Sequence, residues 1–247
     1  MRETRLLMGM PITIEVVGAT DGELIGRAFD YLAAVDRRFS TYKPDSEISA
    51  INEGRCAKDG RSEEMAEVFA LAETTRWETR GFFDIRRPDG SIDPSGIVKG
   101  WAIRNAARLL AAAGAEDFFV DAGGDVQSKG HNADGGEWRA GIRDPFHPDR
   151  IVKTVYPRGR GIATSGTYVR GQHIYDPHDA GRPIDEIVSL TVIGADVLEA
   201  DRFATAAFAM GTGGIGFIES QPGLEGYLID AGGMATMTSA FEAFTRP

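Results

Sequence analysis

Residues 199–211, EADRFATAAFAMG, have the composition of a buried helix, because Ala, Phe and Met make up most of the stretch. Arg202 is the side chain in it that we expect to point to solvent. Asp201 and Thr205 are four residues apart, and this spacing places both side chains on one face of a helix. A carboxylate and a hydroxyl on the same face of an apolar helix call for an explanation.

Capping does not supply that explanation. Asp196 is the predicted N-cap of the helix, with Glu199 as its partner at the third helical position. Gly211 is the predicted residue that stops the helix. Asp201 lies a full turn inside these limits, so its carboxylate is not required at the end of the helix.

Outward from this helix, hydrophobic periodicity predicts interspersed helices and strands. Helices are predicted at 22–40, from the Ser62 N-cap onward and at 100–114, and strands at 10–18, 118–126, 137–144, 151–156, 161–166, 171–177, 187–194 and 226–230. These elements lack the regular strand–helix alternation of a doubly wound sheet. We therefore expect an α+β fold with mixed, largely antiparallel sheets packed against helices, as one domain over 1–247.

Composition excludes several classes of function. The chain has 247 residues and a net charge of −10, and such an acidic balance argues against nucleic acid as a partner. One cysteine rules out an internal disulfide and a cysteine-pair zinc site. No apolar run reaches the length of a membrane span, and the apolar part of the N-terminus is too short for a signal peptide. We expect a cytoplasmic protein, or an exported one if the chain is a trimmed mature form.

Three glycine-rich stretches invite functional interpretation. GTGGIG at 211–216 matches a dinucleotide fingerprint, but a helix rather than a strand precedes it, which favours a helix stop and a loop. In DPSGIVKGWA at 93–102, Lys99 between two glycines just before a predicted helix suits an anion, and a plain turn is the alternative. DAGGDV at 121–126 offers backbone amides or carboxylates to a ligand, or is simply a tight turn.

Two single residues leave alternatives open in the same way. His173, on a short apolar strand ending in Asp-Pro, could act as a general base, although a lone strand histidine is more often structural. Tyr42, in FSTYKPDSEISAIN at 39–52, could stack on a flat ring or fill the edge of the core.

Taken together, six motifs occur in one order: FSTYKPDSEISAIN, DPSGIVKGWA, DAGGDV, ATSGTY, HIYDP and EADRFATAAFAMG. This series resembles the ApbE family, the FAD:protein FMN transferases. MGM at 8–10 is similar to the opening of that family, and the resemblance runs from about Met8 to the last strand.

The resemblance implies a reaction and the residues that perform it. The family cleaves the pyrophosphate of FAD, attaches FMN through a phosphoester to a Ser or Thr hydroxyl of an acceptor protein, and releases AMP. It uses Mg²⁺, whose implied ligands here are Asp201, Thr205 and the carbonyl of Gly96. His173 matches the residue that takes the proton of the acceptor hydroxyl. The implied FAD contacts are Met8, Tyr42, Asp84, Lys99, His173 and Ile174.

Two other functions are compatible with the same motifs: a Mg²⁺-dependent FAD pyrophosphatase, with water as acceptor, and an FAD-binding protein without chemistry. The segment after Asp84, IRRPDGSID, is shorter and more basic than the usual pattern of the family. Its Arg86 and Arg87 could contact phosphates or simply face solvent, and solvent is the expectation we favour.

Overall fold

A computed structural model describes residues 1–19, 22–147, 149–167, 174–179 and 182–246. The strands in chain order are β1 (Arg2–Leu7), β2 (Met10–Val16), β3 (Phe118–Ala122), β4 (Asp125–Lys129), β5 (Ala140–Arg143), β6 (Ile151–Val155), β7 (Gly161–Gly166), β8 (Ile187–Gly194), β9 (Glu225–Asp230) and β10 (Ala235–Met237). The helices are α1 (Glu23–Phe39), α2 (Glu47–Asn52), α3 (Glu63–Glu78), α4 (Ser95–Ala112), α5 (Val197–Ala209) and α6 (Gly214–Glu219). Three 3₁₀ turns add Lys58–Gly60, Gly211–Gly213 and Phe241–Phe244.

Eight strands form one sheet in the order β1-β2-β3-β4-β7-β8-β9-β10, and β5 and β6 form a second, two-stranded sheet. Each neighbouring pair among the described strands is antiparallel. The predicted α+β class is confirmed, and the described pairing is antiparallel throughout. The sequence 118–126 predicts a strand that runs into a glycine turn, and this is confirmed. β3 leads into a turn at Gly123 and Gly124, both with positive φ, and β4 pairs back on it as a hairpin.

The helices cover one face of the large sheet. On β2 the alternation is clear, since Ile12 and Ile14 are fully buried while Thr13 and Glu15 are only partly covered. The buried side chains of β2 and β3 join those of α1, α3 and α4 in one core, and those of β7, β8 and β9 join α5 and α6 in a second. Each of these helices is too short or too polar, within the described residues, to span a membrane.

The opposite face of the sheet is covered over its second half by β5, β6 and the turn at Phe241–Phe244. Ile142 and Val155 of the small sheet pack with Tyr227 and the fully buried Phe241 in a third core. Trp138, Ala140 and Ile142 lie on the same side, as their alternation predicts, although the strand itself begins only at Ala140.

The capping predictions for two helices are confirmed. Ser62 accepts a hydrogen bond from the backbone N–H of Met65, and Asp196 accepts one from the N–H of Glu199 at 3.0 Å. Gly211 adopts a positive φ of 61° directly after α5. These ends are fixed by local hydrogen bonds, which is why local sequence predicts them.

Two other predictions about helices are wrong. α4 begins at Ser95 rather than at 100, so Gly96 and Lys99 lie within its first turns and not in a preceding loop. Arg202 does not point to solvent, because only 8% of it is exposed. Its guanidinium pairs with Glu199 at 2.8 Å and with Glu78 of α3, which ties α5 to α3.

α4 and α5 approach each other closely at Gly100. A Cβ atom at this position would lie 2.7 Å from Cβ of Asp201 and 2.8 Å from the carbonyl oxygen of Val197. Real side chains do not pack at such distances, so the hydrogen of glycine is what permits this crossing. The approach also brings the N–H of Gly100 within 2.7 Å of Oδ2 of Asp201.

We expect Gly100→Ala to destabilise the protein by about 2 kcal/mol, because overpacking against backbone atoms outweighs the better helix propensity of Ala. Gly26→Ala is the matched control, since Gly26 is also helical but a Cβ there has no atom within 4 Å. That change should stabilise by roughly 0.5–1 kcal/mol. Urea denaturation of both variants measures the difference, and equal effects would contradict the close crossing.

Candidate functional site

A cavity of about 580 Å³ opens at the end of the large sheet, where β2 begins, the β3–β4 hairpin turns and β7 ends. The first turns of α4, the middle of α5 and the segment 174–177 complete its wall. It brings together several of the residues that the sequence singled out: Asp84, Gly96, Lys99, Ile174, Asp201 and Thr205. A cavity of this size lies in the range of ligand sites.

The three implied metal ligands meet in this wall. Asp201 and Thr205 come from the face of α5 that packs on α4, and Gly96 comes from the first turn of α4. Oγ1 of Thr205 lies 3.5 Å from the carbonyl oxygen of Gly96. A Cβ on Gly96 would lie 3.2 Å from Cγ2 of Thr205, so a side chain there would crowd the hydroxyl.

This donor set suits a hard divalent cation. A carboxylate, a hydroxyl and a backbone carbonyl are all oxygen donors, and Mg²⁺ is commonly held by one or two carboxylates together with water and substrate phosphates. Among the described residues, no group of three or more His, Cys, Asp or Glu side chains is placed to hold a metal. A cation here would therefore depend on the ligand in the cavity for its remaining coordination.

Lys99 enters the cavity from α4 and is held by a buried carboxylate. Its Nζ lies 2.5 Å from Oδ2 of Asp125, which is 1% exposed at the start of β4. The other oxygen of Asp125 accepts the N–H of Thr164 on β7 at 3.1 Å. The ion pair thus joins α4 to two strands and fixes the Lys99 ammonium group in the cavity wall. A cation held there is what the predicted binding of an anion by Lys99 requires.

A second set of charges lines the cavity beside α3. Oδ2 of Asp84 accepts a hydrogen bond from Nε of Arg76 at 2.9 Å. Arg87 pairs with Asp93, and both line the cavity. Arg86 and Arg87 are both exposed, as expected, and about half of each side chain is in solvent. Arg86 pairs with Glu73.

Asp121, at the end of β3, differs from these paired carboxylates. Burial raises the pKa of its carboxyl, and the neighbouring Asp125 adds to the rise. A hydrogen bond from the N–H of Gly124 at 2.8 Å works in the opposite direction. Arg143 and Lys99 also oppose the rise electrostatically. Desolvation is the largest of these effects.

Aromatic side chains also line the cavity. Phe82, Phe83 and Tyr175 line it together with Ile174. Burial raises the pKa of the Tyr175 hydroxyl, so this phenol stays protonated at neutral pH. The next turn is anchored by His178, whose Nε2 lies 3.0 Å from the carbonyl oxygen of Arg80.

Two of the predicted site residues do not line the cavity, and a third is outside the part of the chain that the structure describes. Tyr42 is 95% exposed and is not part of the cavity wall. Met8 occupies the β1–β2 turn with a φ of 53°, next to Gly9 and Met10, which do line the cavity. His173 lies outside the described residues, as do 171 and 172 of the strand predicted at 171–177. The described part, 174–177, forms no strand beyond an isolated bridge between Tyr175 and Pro183.

Sequence reasoning missed other residues of the wall. Arg143 of β5 and Phe82 both line the cavity, and neither was a predicted site residue. The alternation of β5 indicates that Arg143 lies opposite the buried Ile142. It gives no sign that the outer side of this strand borders a cavity, because that depends on how the two sheets pack.

The profile of the ApbE family matches residues 8–87 and 85–228 of the chain. The chain belongs to the ApbE family. A protein named FAD:protein FMN transferase from Vibrio cholerae is 39% identical over 134 residues, which are 50% of this chain and 40% of that protein. One of the same name from Escherichia coli K12 is 34% identical over 170 residues, covering 64% of this chain and 48% of that protein. The matched part thus spans less than half of each of these ApbE relatives.

Solved ApbE structures share the fold over nearly the whole chain. The flavin transferase ApbE from Vibrio cholerae superposes with a TM-score of 0.85 at 26% identity, covering 99% of this chain and 98% of that one. The ApbE protein from Thermotoga maritima gives a TM-score of 0.87 at 22% identity over 100% of this chain and 99% of that one, a likeness of fold.

The raised pKa of Asp121 gives a prediction with a definite sign. A carboxyl with a raised pKa in the folded state opposes folding once the pH exceeds its ordinary value, so Asp121→Asn should stabilise the protein at pH 7. The amide oxygen of Asn can still accept the N–H of Gly124. At pH 3 the stabilisation should disappear, because Asp121 is then protonated in both states. Urea denaturation at the two pH values measures this.

Asp144→Asn is the matched control with the opposite sign. Hydrogen bonds from the backbone N–H groups of Phe146 and His147 lower the pKa of this carboxyl. Its stabilising effect is present above the ordinary pKa and lost as the pH falls. The Asn variant should therefore be less stable than the parent at pH 7, and a gain in stability there would contradict the assignment.

Proposed function

We propose that this chain is a Mg²⁺-dependent FAD:protein FMN transferase, which moves FMN from FAD to a Ser or Thr hydroxyl of an acceptor protein and releases AMP. The observation that carries the proposal is the convergence of Asp201, Thr205 and the carbonyl of Gly96 in the wall of one cavity. Membership in the ApbE family and the names of its relatives support the same activity.

The cavity has groups suited to each part of FAD. Phe82 and Tyr175 offer aromatic faces to a flat ring. Lys99 offers a fixed cation to the diphosphate. Because this charge is in place before the ligand binds, no free energy is needed to reorganise it. Arg143 lines the exposed edge of the cavity.

Asp201, Thr205 and Gly96 would hold Mg²⁺, and their donor set of three oxygens fits this ion. When bound, the cation supplies charge neutralisation for a phosphoryl group and its leaving group. Asp201 is oriented for this role by the N–H of Gly100, which fixes one of its oxygens at 2.7 Å. Lys99 stabilises negative charge on the departing AMP. His173 takes the proton of the acceptor hydroxyl, a role implied by the family resemblance.

Two alternative functions share this site. Water in place of the acceptor hydroxyl would make the chain an FAD pyrophosphatase, producing FMN and AMP. A protein that binds FAD without chemistry has no use for the oxygen trio, so this trio favours an enzyme. The compartment, the single-domain organisation over 1–247 and the identity of the acceptor stay predictions.

One assay separates the three functions. The full chain is incubated with FAD, Mg²⁺ and an acceptor protein that carries a Thr-containing flavinylation segment. Flavin fluorescence that stays with the acceptor on a denaturing gel identifies a transferase. Free FMN and AMP without labelling identify a pyrophosphatase, and unchanged FAD identifies a binding protein.

Asp201→Asn and Thr205→Val should each lower the rate of FMN transfer by about a hundredfold, because each removes a ligand of a cation that contributes several kcal/mol to the transition state. Both replacements keep the shape of the side chain. In the parent, Mg²⁺ should tighten FAD binding, as measured by quenching of flavin fluorescence, and in the variants this tightening should be lost. Variants that respond to Mg²⁺ like the parent would contradict the metal site.

His173→Ala should bind FAD as the parent does and lose FMN transfer by 10²- to 10⁴-fold, the usual contribution of a general base. Equilibrium binding and single-turnover labelling of the acceptor measure the two effects separately. Normal transfer by the variant would refute the role of His173. His147→Ala is the control, since His147 is exposed and does not line the cavity.

A further inference from the structure

The outer side of the β5–β6 sheet carries a compact cationic face. Residues that alternate with the buried Ile142 and Val155 point away from the core, and on β5 and the residue before it these are Arg139, Gly141 and Arg143. Thr154 pairs with Gly141 across the sheet, and the side chain of Ile151 lies over Gly141. We call Arg139, Gly141, Arg143, Ile151 and Thr154 the cationic face of β5–β6.

This face is uncovered. All five residues are exposed, and Ile151 keeps 53% of its surface in water, which is unusual for so apolar a side chain on a strand. Arg139 and Arg143 make no salt bridge within 4.0 Å to a residue that the structure describes. Two guanidinium groups and an apolar side chain are thus available together to a partner.

The charge of the face is opposite to that of the whole chain. Residues 139–154 contain four Lys and Arg against two Asp, whereas the chain as a whole has a net charge of −10. No carboxylate belongs to the face itself. Two neighbouring cations on an otherwise acidic protein attract the acidic side chains of a partner. The face therefore selects its partner by electrostatic complementarity.

The face continues directly into the cavity. Gly141 and Arg143 belong to both, and Gly9, Pro11, Gly123 and Gly124 are further exposed residues of the wall. Asp201, by contrast, is only 5% exposed at the deep end. An acceptor hydroxyl that enters through this opening brings the polypeptide around it onto β5 and β6.

We infer that the cationic face of β5–β6 docks the acceptor protein, through a segment that carries Asp or Glu residues next to the hydroxyl that receives FMN. This inference rests on the proposed function for the identity of the partner. Arg139 and Arg143 pair with the acidic side chains, and Ile151 contacts an apolar side chain between them. Glycine at 141 makes room for the side chain of Ile151 on this face, because a Cβ there would lie 2.8 Å from Cδ1 of Ile151.

The probe is a pair of dye-labelled peptides of 20 residues with the same central Thr, flanked by Glu in one and by Lys in the other. Binding to the full chain, loaded with FAD and Mg²⁺, is measured by fluorescence anisotropy. We expect the Glu peptide to bind at least tenfold more tightly. Because the net charge of −10 would by itself favour the Lys peptide, this preference identifies a local cationic site. Equal affinities, or a preference for Lys, would overturn the inference.

Arg139→Glu should weaken binding of the Glu peptide about tenfold and leave FAD affinity unchanged, because Arg139 is not part of the cavity wall. Thr154→Glu places the same charge on the face from the other strand and should act alike. Arg108→Glu is the control, an exposed position of α4 about 13 Å beyond Lys99 along the helix. An equal loss in this control would overturn the inference.

Failure of the proposed function would be recognised separately. A chain that keeps the preference for the Glu peptide and its loss in Arg139→Glu, but never transfers FMN, retains the docking face and refutes the transferase. A chain that labels both peptides with the same efficiency, and with equal affinity, is a transferase without the docking face.

Discussion

The contact between α4 and α5 is the interaction on which the site depends. Gly96 and Gly100 form a stripe without side chains on α4, and Asp201 and Thr205 lie against it from α5. The absence of two Cβ atoms lets a carboxylate of one helix reach a backbone N–H of the other. The same closeness leaves the carbonyl of Gly96 beside the hydroxyl of Thr205. The same four residues therefore determine both the packing of the two helices and the oxygen donors of the site, so a substitution at any of them affects both.

Around this contact the charges of the cavity are mostly held in pairs. Asp125 holds Lys99, Asp93 holds Arg87, and Arg76 holds Asp84. Pairing keeps the cavity wall ordered, and it leaves the net local charge small, which would suit the anionic diphosphate and the cation of the proposed function. Asp121 is the exception, since burial raises its pKa and its carboxylate is stabilised mainly by one backbone N–H. The exposed edge differs again, because Arg143 and Arg139 form no salt bridge within 4.0 Å to an acidic side chain among the described residues.

Features that depend on neighbouring residues in sequence were predictable. The N-caps Ser62 and Asp196, the stop at Gly211 and the buried side of β2 all follow from local hydrogen bonds or alternation. Features that depend on distant partners were not. Gly96 and Gly100 predict a turn when α4 is considered alone. Inside a helix their function is to let α5 pack closely, which the local sequence does not show. Arg202 was expected in solvent because its partner Glu78 lies on another helix. The convergence of Asp201, Thr205 and Gly96 was predicted through the family resemblance, since spacing alone pairs Asp201 only with Thr205.

The oxygens that meet beside Gly96 come from segments more than 100 positions apart along the chain. An unfolded polypeptide keeps such segments apart, so the binding site does not exist until both helices have docked. A ligand that contacts both helices consequently binds only the native state, and by mass action its binding raises the free energy of unfolding. A cell with abundant flavin dinucleotide would then hold more of this protein folded than a starved one, without any change in its synthesis.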